Sequence, residues 1–264
     1  MHAMKPAVDI ESIVSIAISA GKIILDIYQQ DSFEKHIKLD NSPLTAADIA
    51  SHHLITQQLQ KLTPTIPVLS EESLTIAWDV RRQWCRYWLI DPLDGTKEFM
   101  KRNGEFTVNI ALIDNHEPVL GVVHAPVLDV TWMGEQGQPA RKQQAGEQYE
   151  IGVKQHKAGE PWIVTGSRTH AGDSLQAFLA DLGEYELISI GSSIKLCLVA
   201  EGKADLYPRL GPTSEWDTAA AHAVVNAAGG EVIIVENGQP LLYNTKDSLI
   251  NPHFLVQSVS SGRA

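Results

Sequence analysis

The stretch "WLIDPLDGTKEF", residues 88–99, runs from an apolar segment straight into Asp91, Pro92, Leu93, Asp94, Gly95 and Thr96. A run of this kind reads as a buried strand, so the fold has to deliver two carboxylates at the end of an element that is itself covered. Unpaired charges in such a place are costly to desolvate. The partner expected to relieve them is a metal ion.

The rest of the chain reads as alternating layers. Ile10, Ile13, Val14, Ala17, Ala20, Ile24 and Tyr28 recur at helical spacing between Asp9 and Gln30. A second helix is expected from "TAAD", with Thr45 as its cap, Asp48 answering from the first turn, and Leu54, Ile55 and Leu59 on the apolar face. "PVLSEE", "YWLID", "FTVNIALI" and "VLGVVHAPVLDVTWM" read as strands. After the polar stretch "QGQPARKQQAGEQ" the rhythm changes: "WIVTGS", "YELISI", "ADLYP" and "EVIIV" are strands, and "AGDSLQAFLADLG", "SSIKLCLVAEG" and "EWDTAAAHAVVNAAGG" are the helices between them. That pattern predicts an α/β fold of layered helices and sheets. We expect two subdomains, residues 1–155 with most of the acids and residues 156–264 with Asp217, meeting at a compact crossing.

Composition narrows the partners. With 264 residues, 44% hydrophobic and 20% charged, the chain can bury a substantial core. A formal charge of -11 argues against nucleic-acid polymers and anionic membranes as main partners. Cys85 and Cys197 form no C-x-x-C pair, so neither a zinc site nor a disulfide framework is expected. "IVSIAISAGKIILDIY" is interrupted by Lys22 well short of a bilayer span. The expectation is a cytoplasmic protein with no transmembrane segment; peripheral attachment to the inner membrane and the oligomeric state are left open.

Four carboxylates fall where elements end: Glu71 after "PVLS", Asp91 and Asp94 after "YWLI", and Asp217 at a helix start. Open sheets place ligand-facing groups at such ends, and hard oxygen donors suit Mg²⁺. Each piece alone has a plainer reading. "SEES" can be a solvated turn, Asp217 a helix cap, and "DPLDG" a simple turn. The spacing is not the D-x-D-x-T of aspartyl-phosphate enzymes. His52 and His53 cannot share a helix face and read as structural, and Lys38 reads as an exposed lysine.

Taken together, "LSEES", "WLIDPLDGTKEF" and "EWDTAAAHAVVNAAGG" resemble the inositol monophosphatase superfamily, with similarity from "NSPLTAAD" to "NPHF". Within it, "DGTKEFMKRNGEFTVNIALI" and "GSSIKLCLVAEGKADLYPRLGPT" resemble the bacterial 3′(2′),5′-bisphosphate nucleotidases most. The resemblance implies an α/β/α/β/α sandwich and a lithium-sensitive phosphatase using two Mg²⁺ ions, with a third left open. Glu71, Asp91 and the Leu93 carbonyl would hold one ion; Asp91, Asp94 and Asp217 the other. Thr96, Asp48 and Glu71 are then expected at the chemical step, with Gly95 and Thr96 N–H groups meeting phosphate oxygens. Glu72 is left out of the site.

The substrate is implied by the second half. Where inositol monophosphatases carry an acid that accepts sugar hydroxyls, "YPRLG" has Arg209, which can only donate and grips phosphate. Ser192 and Lys195 stand at a helix start that favours anions, and the resemblance puts them and His170 near a nucleotide. Substrate contacts are thus expected from Glu71, Asp94, Gly95, Thr96, His170, Ser192, Lys195, Arg209 and Asp217. The implied reaction converts adenosine 3′,5′-bisphosphate to AMP and phosphate, with the sulfated form as a second candidate substrate. The alternatives are an inositol or sugar-bisphosphate phosphatase, and a Mg²⁺-dependent nucleotide-binding regulator without catalysis.

Overall fold

The computed structural model describes residues 8–29, 35–37, 43–73, 76–166 and 173–258, with the backbone alone at 35–37 and 43–45. Helix α1 is Ile10–Tyr28, started by Asp9, whose carboxylate accepts from the Glu11 and Ser12 N–H groups. Strands β1 (Lys35–Ile37) and β2 (Pro43–Thr45) pair antiparallel and lead into α2, Ala46–Leu62. The side chain of Thr45, the expected cap, and all of Lys38 lie outside the described residues.

Next come β3 (Val68–Ser70), a 3-10 turn (Glu71–Ser73), α3 (Trp78–Arg81), β4 (Arg86–Asp94) and α4 (Thr96–Lys101). A meander follows: β5 (Thr107–Asp114), β6 (Glu117–Ala125), β7 (Val130–Glu135), β8 (Arg141–Gln144) and β9 (Glu147–Glu150). These strands form one seven-stranded sheet in the order β3-β4-β5-β6-β7-β8-β9, antiparallel except for β3 beside β4.

Two readings change here. "VLGVVHAPVLDVTWM" is a hairpin rather than a single strand, and much of the polar stretch after it is sheet. β8 and β9 are joined by Ala145 and Gly146, both at positive φ (52° and 78°), the conformation a two-residue hairpin requires. All of β9 is exposed, so its residues are polar because it is the sheet's edge.

The second sheet contains β10 (Trp162–Gly166), β11 (Tyr185–Ser189), β12 (Leu206–Arg209), β13 (Gly230–Ile234) and β14 (Phe254–Ser258), in the order β11-β10-β12-β14-β13. Its helices are α5 (Asp173–Leu182), α6 (Ile194–Ala200) and α7 (Ala219–Ala227). Strand β14 escaped the sequence reading, although Phe254 and Val256 alternate inward as a strand's should.

The layers run α1/α2, seven-stranded sheet, α6/α7, five-stranded sheet, α5, which is the expected five-layer sandwich. One core joins α1 and α2 to the first sheet through Ile13, Ile24, Leu59, Trp88 and Ile110. A second lies between the sheets around Leu89, Ile194, Val224 and Phe254, and a smaller one under α5 uses Val164, Leu175, Leu179 and Leu206. Among the described residues no helix is long and apolar enough to cross a membrane.

Candidate metal and phosphate site

Strand β4 is covered along almost its whole length, and Pro92 then breaks its pairing. Proline has no N–H to donate to a ladder, and the register with β5 shifts between Asp91, opposite Asn109, and Asp94, opposite Thr107. A bulge of this kind re-aims side chains. Asp91 Oδ1 accepts the Leu93 N–H at 3.0 Å, while Oδ2 is buried and has no hydrogen-bond partner among the described residues. Helix α2 holds the bulge from behind, its buried Ser51 donating to the Pro92 carbonyl at 2.8 Å. Gly95 follows at φ 97°, a left-handed conformation suited to glycine, and starts α4 with Thr96, whose hydroxyl is 3.5 Å from the Leu93 oxygen.

Asp217 arrives from the other half. The segment expected to be one helix begins as a 3-10 turn, Glu215–Asp217, and becomes α7 only after Thr218. Asp217 Oδ2 accepts the Ser214 N–H at 2.9 Å in a capping box whose N-cap is Ser214, so Asp217 closes the turn from its third position instead of being the cap itself. The turn is clamped on its far side. Glu215 accepts the Asn244 N–H at 2.8 Å, Asn244 Nδ2 donates to the Arg81 carbonyl at 2.7 Å, and the Arg81 guanidinium donates to the Asn244 side chain and the Lys246 and Asp247 carbonyls. Burial pushes Glu215 up to about 7.

Oxygens of Asp91, Asp94 and Asp217 all lie within 4.8 Å of one another. Burial first, and then the charges of Glu71, Asp94, Asp217 and Asp48, push Asp91 well above the usual carboxylate range. Burial, Asp94 and Glu71 raise Asp217 to about 8. Glu71 stands outside the tight trio, in the 3-10 turn after β3, but its charge acts on both acids. Asp48 is wholly buried in the first turn of α2. Carboxylates are held this close only if protons or cations reduce their repulsion, and the orphaned Asp91 oxygen is a ready ligand atom. The donor set therefore fits hard divalent cations.

Of the expected substrate residues, Lys195 and Arg209 lie close enough to the acidic trio for their charges to act on it. Lys195 lies in the first turn of α6, buried, with Nζ donating to the Ser192 carbonyl at 2.6 Å. Burial lowers it to about 8 against the opposing charge of Asp94, with Arg209 and Asp217 also acting on it. Ser192 adopts φ 49°, and its buried hydroxyl has no hydrogen-bond partner among the described residues, nor has Arg209 Nε. Arg209 NH2 rests on the Pro212 carbonyl. The helix start is less open to anions than expected, because the Ser193 N–H is already given to Asp94 at 2.6 Å. His170 lies outside the described residues.

His52 pairs with Ser70 Oγ at 2.9 Å, and the Glu72 charge acts on it, which places Glu72 on the His52 side. Sequence reasoning missed Ser193 and Asn109. Asn109 Nδ2 lies 2.8 Å from Ser193 Oγ, and an amide inside the apolar run "FTVNIALI" was the available signal.

Known proteins share this chain's sequence and fold. The inositol monophosphatase family pattern matches residues 7–261. The 3′(2′),5′-bisphosphate nucleotidase CysQ of Escherichia coli is 51% identical over 248 residues, 94% of this chain and 98% of the relative. Its namesake in Haemophilus influenzae is 36% identical over 250 residues, 94% and 91% of the two chains. The crystal structure of CysQ from Bacteroides thetaiotaomicron superimposes with TM-score 0.82 at 43% identity, covering 95% of this chain and 97% of that one. An inositol monophosphatase from Anabaena, at 22% identity and TM-score 0.71 over 94% and 89% of the two chains, shares the fold. With the family pattern running through almost its whole length and the fold shared, the chain belongs to the inositol monophosphatase family.

Proposed function

We infer that the protein is a Mg²⁺-dependent phosphomonoesterase acting on 3′(2′),5′-bisphosphate nucleotides, converting adenosine 3′,5′-bisphosphate to AMP and phosphate. The observation that carries the reading is the pairing of an acidic cluster with a cationic one: Asp91, Asp94 and Asp217 within 4.8 Å of one another, and Lys195 and Arg209 close enough to act on their charges. The 51% identity to the Escherichia coli nucleotidase, over 94% of this chain, supports the substrate class. Residues 1–155 and 156–264 are read as the two subdomains that bring these groups together.

Glu71, Asp91, the Leu93 carbonyl, Asp94 and Asp217 would hold two Mg²⁺ ions. Bound there, the ions supply a lowered pKa for the attacking water and charge stabilisation for the leaving ribose oxygen. Asp48, Thr96 and Glu71 orient the water for in-line attack on the 3′-phosphorus. The Gly95 and Thr96 N–H groups meet phosphate oxygens. Arg209 Nε and Ser192 Oγ, both buried with no hydrogen-bond partner among the described residues, are donors for the phosphate that does not react. Lys195 adds charge, and His170 borders the nucleoside. The sulfated nucleotide fits the same contacts and would yield adenosine 5′-phosphosulfate.

The test is phosphate release from adenosine 3′,5′-bisphosphate with Mg²⁺, beside inositol 1-phosphate and fructose 1,6-bisphosphate, with Asp94→Asn as control. Preference for the nucleotide, lost in the control, is expected. Preference for either sugar ester overturns the substrate assignment, and nucleotide binding without release from any ester overturns the enzymatic one.

A further inference from the structure

Ser193 stands where the two halves of the acidic site meet. It precedes α6, on the side of the second sheet, and is only 1% exposed. Its N–H and hydroxyl reach Asp94 Oδ2 at 2.6 and 2.8 Å, and Asp94 ends β4 in the first sheet. The same hydroxyl lies 2.5 Å from the main-chain oxygen of Asp217. Asn109, opposite Asp91 in the β4–β5 register, donates Nδ2 to Ser193 Oγ at 2.8 Å.

A serine hydroxyl has one proton and two lone pairs. With Asn109 donating to it, the proton is shared between the Asp94 carboxylate and the Asp217 carbonyl. Thr107 and Asn109 also approach Asp94 Oδ2, each at 3.4 Å. These donors converge on one oxygen of Asp94, which leaves Oδ1 to face a cation. Their combined pull spreads the charge of Asp94 and lets it stay beside Asp91 and Asp217.

We propose that Ser193, oriented by Asn109, is a positioning residue that fixes the separation between Asp94 at the end of β4 and Asp217 in the turn before α7, and so sets the affinity of the site for divalent cations. The role rests on Asp94 and Asp217 being ligands. It is distinct from that reading, because Ser193 itself binds no ion.

The experiment measures Mn²⁺ binding directly, from the free-ion electron paramagnetic resonance signal, on the full chain without substrate. Ser193→Ala is expected to weaken binding roughly tenfold, in line with loss of one hydrogen bond to a charged group, with little change in the metal-free melting temperature. Asn109→Ala, expected to lose a few-fold, decides the matter should Ser193→Ala not fold. Asp94→Asn separates the two layers of the argument. If it binds Mn²⁺ like the parent, the ligand assignment fails and takes the proposal with it. If it loses binding while Ser193→Ala keeps parental affinity, the positioning role alone is overturned. A Ser193→Ala protein that melts markedly lower without metal yet binds Mn²⁺ normally below its transition also overturns it, since the role would then be structural.

Discussion

Gly121→Ala tests whether the position of Asp217 is set by the way α7 lies on the first sheet. Gly121 and Gly134 are direct partners across β6 and β7, and together they make a bare strip on which α7 rests. A Cβ on Gly121 would sit 2.1 Å from the Ala220 carbonyl oxygen and 2.8 Å from both the Ala220 carbon and the Ala223 Cβ. One on Gly134 would meet the Ala223 oxygen and Val224 Cα, each at 2.6 Å. Relieving the Gly121 contact to ordinary van der Waals distance moves the helix start by about 1 Å, because backbone cannot swing aside as a side chain can.

Overpacking of this kind costs about 1–3 kcal/mol, which for a chain of this size lowers the melting temperature by roughly 2–12 °C. Ala220 is three residues from Asp217 in sequence, so the displacement reaches the acidic trio. A misplacement of about 1 Å in reacting groups is worth on the order of a hundredfold in rate. The assay is kcat/KM for adenosine 3′,5′-bisphosphate at saturating Mg²⁺, with a thermal melt of the same preparations. Gly152→Ala is the control, since its Cβ would meet nothing nearer than 3.6 Å. A Gly121→Ala protein with parental melting temperature and turnover would refute the argument that close helix–sheet approach sets the Asp217 position.

Arg209→Ala is expected to lower kcat/KM for the bisphosphate roughly ten- to hundredfold, the loss of one charge-assisted contact; steady-state kinetics on the nucleotide would reveal an unchanged value and remove Arg209 from the substrate contacts. A second expectation concerns acid. Burial holds His124 down at about 4 and His222 at about 3, so both are neutral in the fold while the unfolded chain takes up protons below about 6.5. The contribution of these two imidazoles to stability is full above that pH and falls as pH drops from there toward about 4 for His124 and about 3 for His222. The His124 share is about 3 kcal/mol by linkage. Urea unfolding at pH 7, 5 and 4 measures it, and His124→Gln should flatten the slope; an identical slope in the variant would contradict the buried neutral imidazole.

The outline of the fold was legible, and the carboxylates of the candidate site could be picked out, because the signals are local. Asp9 caps α1 where the helical spacing of Ile10 to Tyr28 begins, and a strand ending in Asp91-Pro92-Leu93-Asp94 carries its own bulge, since the missing proline N–H acts within the strand. Polar β8 and β9 misled the reading because edge strands need little apolar surface, and their hairpin turn is written only in two residues at positive φ. β14 was missed although its alternation is sound, because a strand near the end of a chain is recognised by the neighbours it slots between, here β12 and β13.

The amino-acid sequence by itself determined which carboxylates stand at element ends and that their chemistry suits hard cations, and the family resemblance it carries implied that Arg209 stands where an acceptor would otherwise be. Only the tertiary structure decided that Asp91, Asp94 and Asp217, 126 residues apart at their extremes, reach one another within 4.8 Å, and that Ser193 and Asn109 stand between them. The physical reason is that ligand types follow from side-chain chemistry, which is local, whereas the distances among them follow from how closely two sheets and the α6/α7 layer can pack. That closeness depends on glycines at positions 121 and 134 whose importance appears only when α7 is laid against them.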